Sequence, residues 1–236
     1  MLEIDLHTHS FFSACGLHTH MEILTRAKAL GMKAVAITDH GATLSPRFSS
    51  PFYDRLHNPL EGIRLLKGVE CNLVNESGSI DIPLKFLSYL DVVLLGIHPN
   101  TPMGLGRAAY TKMMLAAIEK NPAIDILTHL NDVNYPVDFA EVIAAATDKG
   151  IAVELNNSKT LLGRSPDELT RELVSTANSL GSRIVVTSDM HALEELGSDS
   201  SVKHFLDEEN YPLDRIVSLS AESAFQFLDE RRKFKK

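Results

Sequence analysis

The sequence has no tryptophan, and only two of its 236 residues, Cys15 and Cys71, are cysteines. Two are too few for a disulfide framework, and a reducing compartment, the cytoplasm, is the expected location. A chain of this length buries enough surface to fold without such staples. No apolar run approaches the roughly 20 residues of a membrane span, and the start shows no charged, apolar, small-residue leader pattern. Positive charge is scarce: 23 Lys and Arg stand against 31 Asp and Glu, a formal net charge of -8. That balance disfavours long nucleic acid and anionic membrane as partners. There is no linker, low-complexity tract or break in composition. Length alone fits two small domains or one large barrel, and the even composition favours a single domain over 1–236. Only the tail, Arg231-Arg232-Lys233-Phe234-Lys235-Lys236, is basic. It reads as a solvated helix end that complements the helix dipole.

What the sequence does contain is a repeated unit: seven short apolar runs, each ending in polar residues of the metal-ligand type. Leu2–Leu6 leads to His7-Thr8-His9, Ala34–Ile37 to Thr38-Asp39-His40, and Leu65–Val69 to Glu70. Val92–Ile97 leads to His98, Ile124–Thr128 to His129, Ile151–Leu155 to Asn156-Asn157, and Ile184–Ser188 to Asp189-Met190-His191. Buried parallel strands are apolar throughout, and residues just past their C-terminal ends share one face, where such barrels keep their chemistry. Six of the ten histidines occupy these positions.

Segments of helical period separate the runs, so strand and helix alternate around a parallel sheet. Helices are expected over 21–30, 107–119, 137–148, 166–180 and 221–232. For 166–180, Ser165 is the expected N-cap, Pro166 lies in the first turn and Glu168 completes a capping box. For 221–232, Ser220 precedes the start. The stretch 41–62, with three prolines, reads as an irregular overhang above the catalytic face. Its Arg47, Arg55 and His57 are candidates for touching substrate, Arg47 and Arg55 as phosphate contacts.

His7-x-His9 places two imidazoles on one side of a strand, and Asp189-x-His191 repeats the geometry on the last strand, adjacent to the first in a closed barrel. Glu70 ends an apolar strand, where a carboxylate is costly unless paired or metal-bound, and its two oxygens can bridge two ions. One buried histidine is ordinarily a hydrogen-bonded core ring. Six at one barrel mouth would leave many polar atoms to satisfy. Mixed imidazole and carboxylate ligation suits zinc, manganese or iron rather than calcium, and clustered divalent ions are a device for cleaving phosphoesters.

His7-x-His9-Ser10, Ile37-Thr38-Asp39-His40, Gly68-Val69-Glu70, Gly96-Ile97-His98, Thr128-His129 and Ser188-Asp189-Met190-His191 resemble, in order and spacing, the motifs of the PHP (polymerase and histidinol phosphatase) family. Glu154-Leu155-Asn156-Asn157-Ser158 and Arg215-Ile216-Val217-Ser218-Leu219-Ser220 look like its branch of small stand-alone phosphatases. The resemblance spans nearly the whole chain. It implies an α/β fold, a deformed (βα)7 TIM-like barrel with a trinuclear metal centre at the C-terminal face of the strands. By position, His7, His9, Glu70 and Asp189 would hold the first ion, Glu70, His98 and His129 the second, and His40, His191 and a residue of the loop after strand one the third. Relatives carry histidine or aspartate seven or eight residues after the first histidine, where this chain has Ala14 and Cys15. His18 is the first choice for the missing ligand, on the expectation that Gly16 makes the loop pliable, and Cys15 is the alternative. His20 reads as a surface residue. Asp39 reads as an orienting partner for a ligand ring or as a structural acceptor.

The implied function is a metal-dependent phosphoesterase acting on a small phosphomonoester. Hydroxide generated at the ions would attack phosphorus in line, with Glu70, Asp189 and His191 as the catalytic residues. Three divalent ions are expected, zinc first, with manganese or iron as alternatives. They would make the active face locally positive on an acidic protein. The rival readings are a histidinol-phosphate phosphatase or small exonuclease on the same site, and a non-catalytic metal-binding domain.

Overall fold

The computed structural model describes residues 1–45 and 49–235. Each apolar run contains a strand: β1 (Ile4–Asp5), β2 (Ala34–Ile37), β3 (Arg64–Asn72), β4 (Val92–Gly96), β5 (Ile126–Leu127), β6 (Ala152–Asn156) and β7 (Ile184–Thr187). They lie side by side in chain order, every pair parallel. A parallel bridge between Thr8 and Met190 brings the two edges together, with the His9 amide donating to the Met190 carbonyl at 2.8 Å. Just below, the Asp5 carboxylate accepts from the amides of His7, Ser188 and Gly197 and from the Ser188 hydroxyl. The result is a nearly closed, deformed (βα)7 barrel.

Side chains two apart along a strand share a face. Ile4, Ala36, Leu66, Leu94, Ile126 and Val185 fill the interior, while Val35, Val69, Val93 and Val153 face outward. The inward rows Leu66-Gly68-Glu70, Leu94-Gly96-His98 and Ala152-Glu154-Asn156 run from the apolar interior into a polar layer at the C-terminal mouth. Gly68 is inward because a Cβ there would meet Thr38 Cγ2 at 2.5 Å and Val92 Cγ1 at 2.7 Å.

Outside the strands run α1 (His20–Ala29), α2 (Ser50–Arg55), α3 (Arg107–Lys120), α4 (Phe139–Asp148), α5 (Asn157–Leu161), α6 (Asp167–Ser179), α7 (Lys203–Glu208) and α8 (Ala221–Arg231). Between β3 and β4 a 3-10 stretch, Leu84–Tyr89, replaces the α-helix. None of these helices is long and apolar enough to cross a membrane. α1 starts at Thr19, whose hydroxyl forms a capping box with Glu22. α8 starts after Ser220, as expected.

Three expectations need correction. The N-cap of α6 is Pro166, not Ser165, and no capping box forms with Glu168. Ser165 is buried, its amide committed to the Lys159 carbonyl, and its hydroxyl has no partner among the described residues. The segment 41–62 is not wholly irregular: α2 lies within it and packs Tyr53 against Phe86, with the Tyr53 hydroxyl donating to the Gly68 carbonyl of β3. The basic tail is only partly a solvated end: Arg232 and Lys233 are exposed, and Lys236 lies outside the described residues. Phe227 and Leu228 of α8 close the N-terminal end of the barrel, each worth about 1.5–3 kcal/mol when fully buried. Below them Arg231 and Lys235 are themselves buried. Lys235 Nζ lies 2.7 Å and Arg231 Nε 3.4 Å from the fully buried Asp125 carboxylate. The other Arg231 nitrogens donate to the carbonyls of Pro122, Ile124 and Lys149.

Candidate metal centre

At the C-terminal mouth His7, His9, Glu70 and Asp189 converge, all essentially without solvent exposure. His7 Nε2 lies 3.1 Å from His9 Nε2, 3.3 Å from Glu70 Oε2 and 3.3 Å from Asp189 Oδ1. His9 Nε2 lies 3.4 Å from Glu70 Oε2 and 3.2 Å from Asp189 Oδ1. A zinc ion about 2.0–2.1 Å from each of four ligands spans a tetrahedron with edges of about 3.3–3.4 Å. Five edges of this set fall close to that value, so the four atoms fit one small divalent ion. Asp189 Oδ1 has no hydrogen-bond partner among the described residues although two imidazole nitrogens stand beside it.

Glu70 divides its oxygens between two groups. Oε2 faces His7, His9 and, at 3.0 Å, His40 Nδ1, whereas Oε1 faces His98 Nε2 at 3.1 Å and His129 Nε2 at 2.9 Å. His40 Nδ1 and His98 Nε2 are this close to Glu70 yet misaligned for hydrogen bonding, so both count as unpartnered buried atoms. Gly96 makes room here: a Cβ would meet His98 Cε1 at 2.7 Å and His129 Cε1 at 2.8 Å. His129 and Asp189 adopt positive φ, 35° and 51°, a strained backbone of the kind concentrated at functional sites.

Metal binding requires neutral imidazole and ionised carboxylate, which the two carboxylates and four of the six imidazoles favour. At His7 burial is outweighed by Glu70, Asp189 and Glu154, and at His9 by Asp189 and Glu70, so that both rings are raised. Burial pushes the Glu70 carboxyl up, but the charges of His98 and His7 and the hydrogen bond of His129 hold it well below the usual range. Burial likewise raises Asp189, and Lys159 with His7 and His9 outweighs it. Desolvation lowers His40, His98 and His129 and, with the charge of His9, brings His191 down to about 4.

Cys15, His9 and His40 bring one donor atom each within 4.8 Å of one another. His18, the first choice from sequence, joins no such group. Its carbonyl accepts the Phe11 amide at 2.6 Å, the neighbouring Leu17 amide donates to the His191 carbonyl, and Thr19 is committed to capping α1. Gly16 serves close packing rather than pliability, since a Cβ would lie 2.1 Å from the Ser10 carbonyl oxygen. Desolvation, with the field of Glu70 and Asp189, pushes the Cys15 thiol up to about 11. His191 stacks on the His9 ring at 4.5 Å and hydrogen-bonds the Asp189 carbonyl through Nδ1, and like His18 it joins none of the donor groups. Arg55 is exposed and turns back onto the Pro51 carbonyl, and His57 bonds the Arg55 carbonyl. Neither is drawn into these groups, and Arg47 lies outside the described residues.

Of the supports, the sequence reading named Asp39 and missed the others. Glu154, inside β6, takes His7 Nδ1 at 2.6 Å and also accepts from the His129 amide, Thr187 and Asn156. A lone carboxylate in the middle of an apolar strand was its signal. Asn156, grouped by sequence with the strand-end ligands, instead caps α5 and donates to Glu154 and Asp189. Asp39 accepts from Ser10 and Ser13, and Ser13 Oγ in turn meets His9 Nδ1 and the His40 amide, so Asp39 acts on ligand rings through Ser13. Lys159, buried on α5, binds Asp189 Oδ2 at 2.6 Å, and nothing in its sequence context set it apart.

Residues 5–235 match the PHP domain. A probable phosphatase of Shewanella sp. (strain ANA-3) is 33% identical over 232 residues, covering 97% of this chain and 92% of that protein. A probable phosphatase of Caldanaerobacter subterraneus subsp. tengcongensis is 31% identical over 241 residues, covering 98% and 93%. The crystal structure of a histidinol phosphate phosphatase from Lactococcus lactis, complexed with zinc, L-histidinol and phosphate, superposes with a TM-score of 0.62 at 17% identity, covering 97% of this chain and 93% of that one. With the motifs, the barrel and the match over nearly its full length in agreement, the chain belongs to the PHP domain family.

Proposed function

We propose that this protein is a metal-dependent phosphatase that hydrolyses a small phosphomonoester. The observation that carries the reading is Glu70, one buried carboxylate whose two oxygens face two different sets of imidazoles. The relatives named probable phosphatases support it. The proposed centre has three ions: one at His7, His9, Glu70 and Asp189, a second at Glu70, His98 and His129, and a third at His40, His191 and Cys15. When bound, such ions supply Lewis acidity, charge neutralisation and activation of water. The chain's own residues do the positioning. Glu154 fixes the tautomer and angle of His7, as outer partners of metal ligands do. Asn156 and Lys159 hold Asp189 Oδ2 and leave Oδ1 free.

Treatment with a chelator is expected to abolish phosphatase activity, and zinc or manganese to restore it. Small monoesters are expected to be cleaved faster than single-stranded DNA. Full activity in protein that elemental analysis finds metal-free would overturn the metal dependence, and faster cleavage of DNA than of any monoester would favour the nuclease rival.

The third site has its own test. Cys15→Ala is expected to lose one metal equivalent while His18→Ala keeps the parental content. The opposite result would return His18 to the site.

A further inference from the structure

A phosphomonoester brings negative charge to a mouth that already holds three buried carboxylates, Glu70, Glu154 and Asp189. Of the arginines suggested by sequence, Arg55 turns away and supplies no counter-charge there, and Arg47 lies outside the described residues. Lys159 supplies one. It sits in the short helix that follows β6, with its side chain 10% exposed. An ammonium has three donors, and among the described residues Lys159 Nζ has one acceptor, Asp189 Oδ2 at 2.6 Å. Its charge reaches well beyond that partner, for it acts on Cys15, His98, His129 and His191. Asp189 also offers a ligand atom to the group with His7 and His9, so the contact places Nζ one carboxylate away from the candidate metal centre.

We propose that Lys159 is a catalytic residue that contacts a phosphoryl oxygen of the substrate with the N–H groups left over from Asp189. The assignment rests on the phosphatase reading above. In the ground state the ammonium holds Asp189. When phosphate enters, the two remaining donors meet the phosphoryl oxygens, and their charge offsets the negative charge that builds as water attacks phosphorus and the ester oxygen leaves. Hydrogen bonds between charged groups of this kind are among the strongest available in a site closed to water.

The test uses inorganic phosphate as probe and zinc-loaded full-length protein. Calorimetric titration measures phosphate affinity, and elemental analysis measures zinc in the same samples. Lys159→Met is expected to keep the parental zinc content and to weaken phosphate binding by about ten- to a hundredfold, the worth of a hydrogen bond between charged groups. Lys159→Arg, which keeps the charge, is expected to recover most of that loss. Lys159→Gln serves in place of the methionine variant should the latter fail to fold, with the same expected weakening. Parental phosphate affinity in Lys159→Met or Lys159→Gln would overturn the assignment. So would loss of a zinc equivalent, because Lys159 would then act only by propping Asp189. Should the parent protein neither bind phosphate nor cleave any monoester, the phosphatase reading falls and the assignment with it. That failure is distinct from one in which the parent binds phosphate and the variants bind it equally well.

Discussion

Glu70→Gln is expected to leave a folded barrel with almost no phosphatase activity and at least one metal equivalent fewer. The amide keeps the shape of the carboxylate. It loses one ligand oxygen and the negative charge that His7, His40, His98 and His129 surround. Removing outer partners of metal ligands already costs about 10–100-fold, and a residue facing two metal groups should exceed that in kcat. Elemental analysis and steady-state kinetics on the same preparation, with circular dichroism to confirm folding, provide the check. A variant with parental metal content and rate would exclude the bridging role.

The largest effect on stability is expected at the other end of the barrel. Asp125→Ala leaves Arg231 and Lys235 buried without their carboxylate, and breaking a buried ion pair on one side costs about 3–5 kcal/mol. At this chain length that corresponds to a Tm lower by roughly 6–20 °C. Burial pushes the Asp125 carboxyl above its ordinary range even with Lys235 and Arg231 beside it. Buried ion networks are often no net gain over apolar residues of similar volume, and the expected loss comes from stranding the partners. Replacing Asp125, Arg231 and Lys235 together by apolar residues should accordingly cost less than Asp125→Ala alone. A thermal melt of Asp125→Ala within about 2 °C of the parent would show that the tail does not depend on this carboxylate.

The barrel was legible because each strand is apolar and ends in a chemically distinctive residue, so period and ligand type pointed to the same seven positions. The convergence of His7, His9, Glu70 and Asp189 followed once those ends were assumed to share a face. Contacts made by residues without local pattern were not legible. Lys159 is one polar residue in a polar stretch, and only the fold brings it to Asp189. Cys15 and His18 could not be ranked by spacing, because the ranking depends on how Ser10, Gly16 and Thr19 tie the loop down. The tail misled for a related reason. A run of Arg and Lys looks solvated unless the acid buried beneath it, more than a hundred residues earlier at Asp125, is known.

The contact between Asp5 and Ser188 joins residues 183 positions apart. During synthesis, therefore, His7 and His9 leave the ribosome long before Asp189 exists, and the floor formed by α8 comes later still. Contacts of such long range are slow to form and leave partly built sheets exposed. A nascent chain carries imidazoles but no enclosed coordination sphere, so it cannot retain an ion as the finished protein can. Metal loading is thus expected to be a late event, coupled to joining the first strand to the last, the same step that brings the ligand-bearing strand ends of the mouth together.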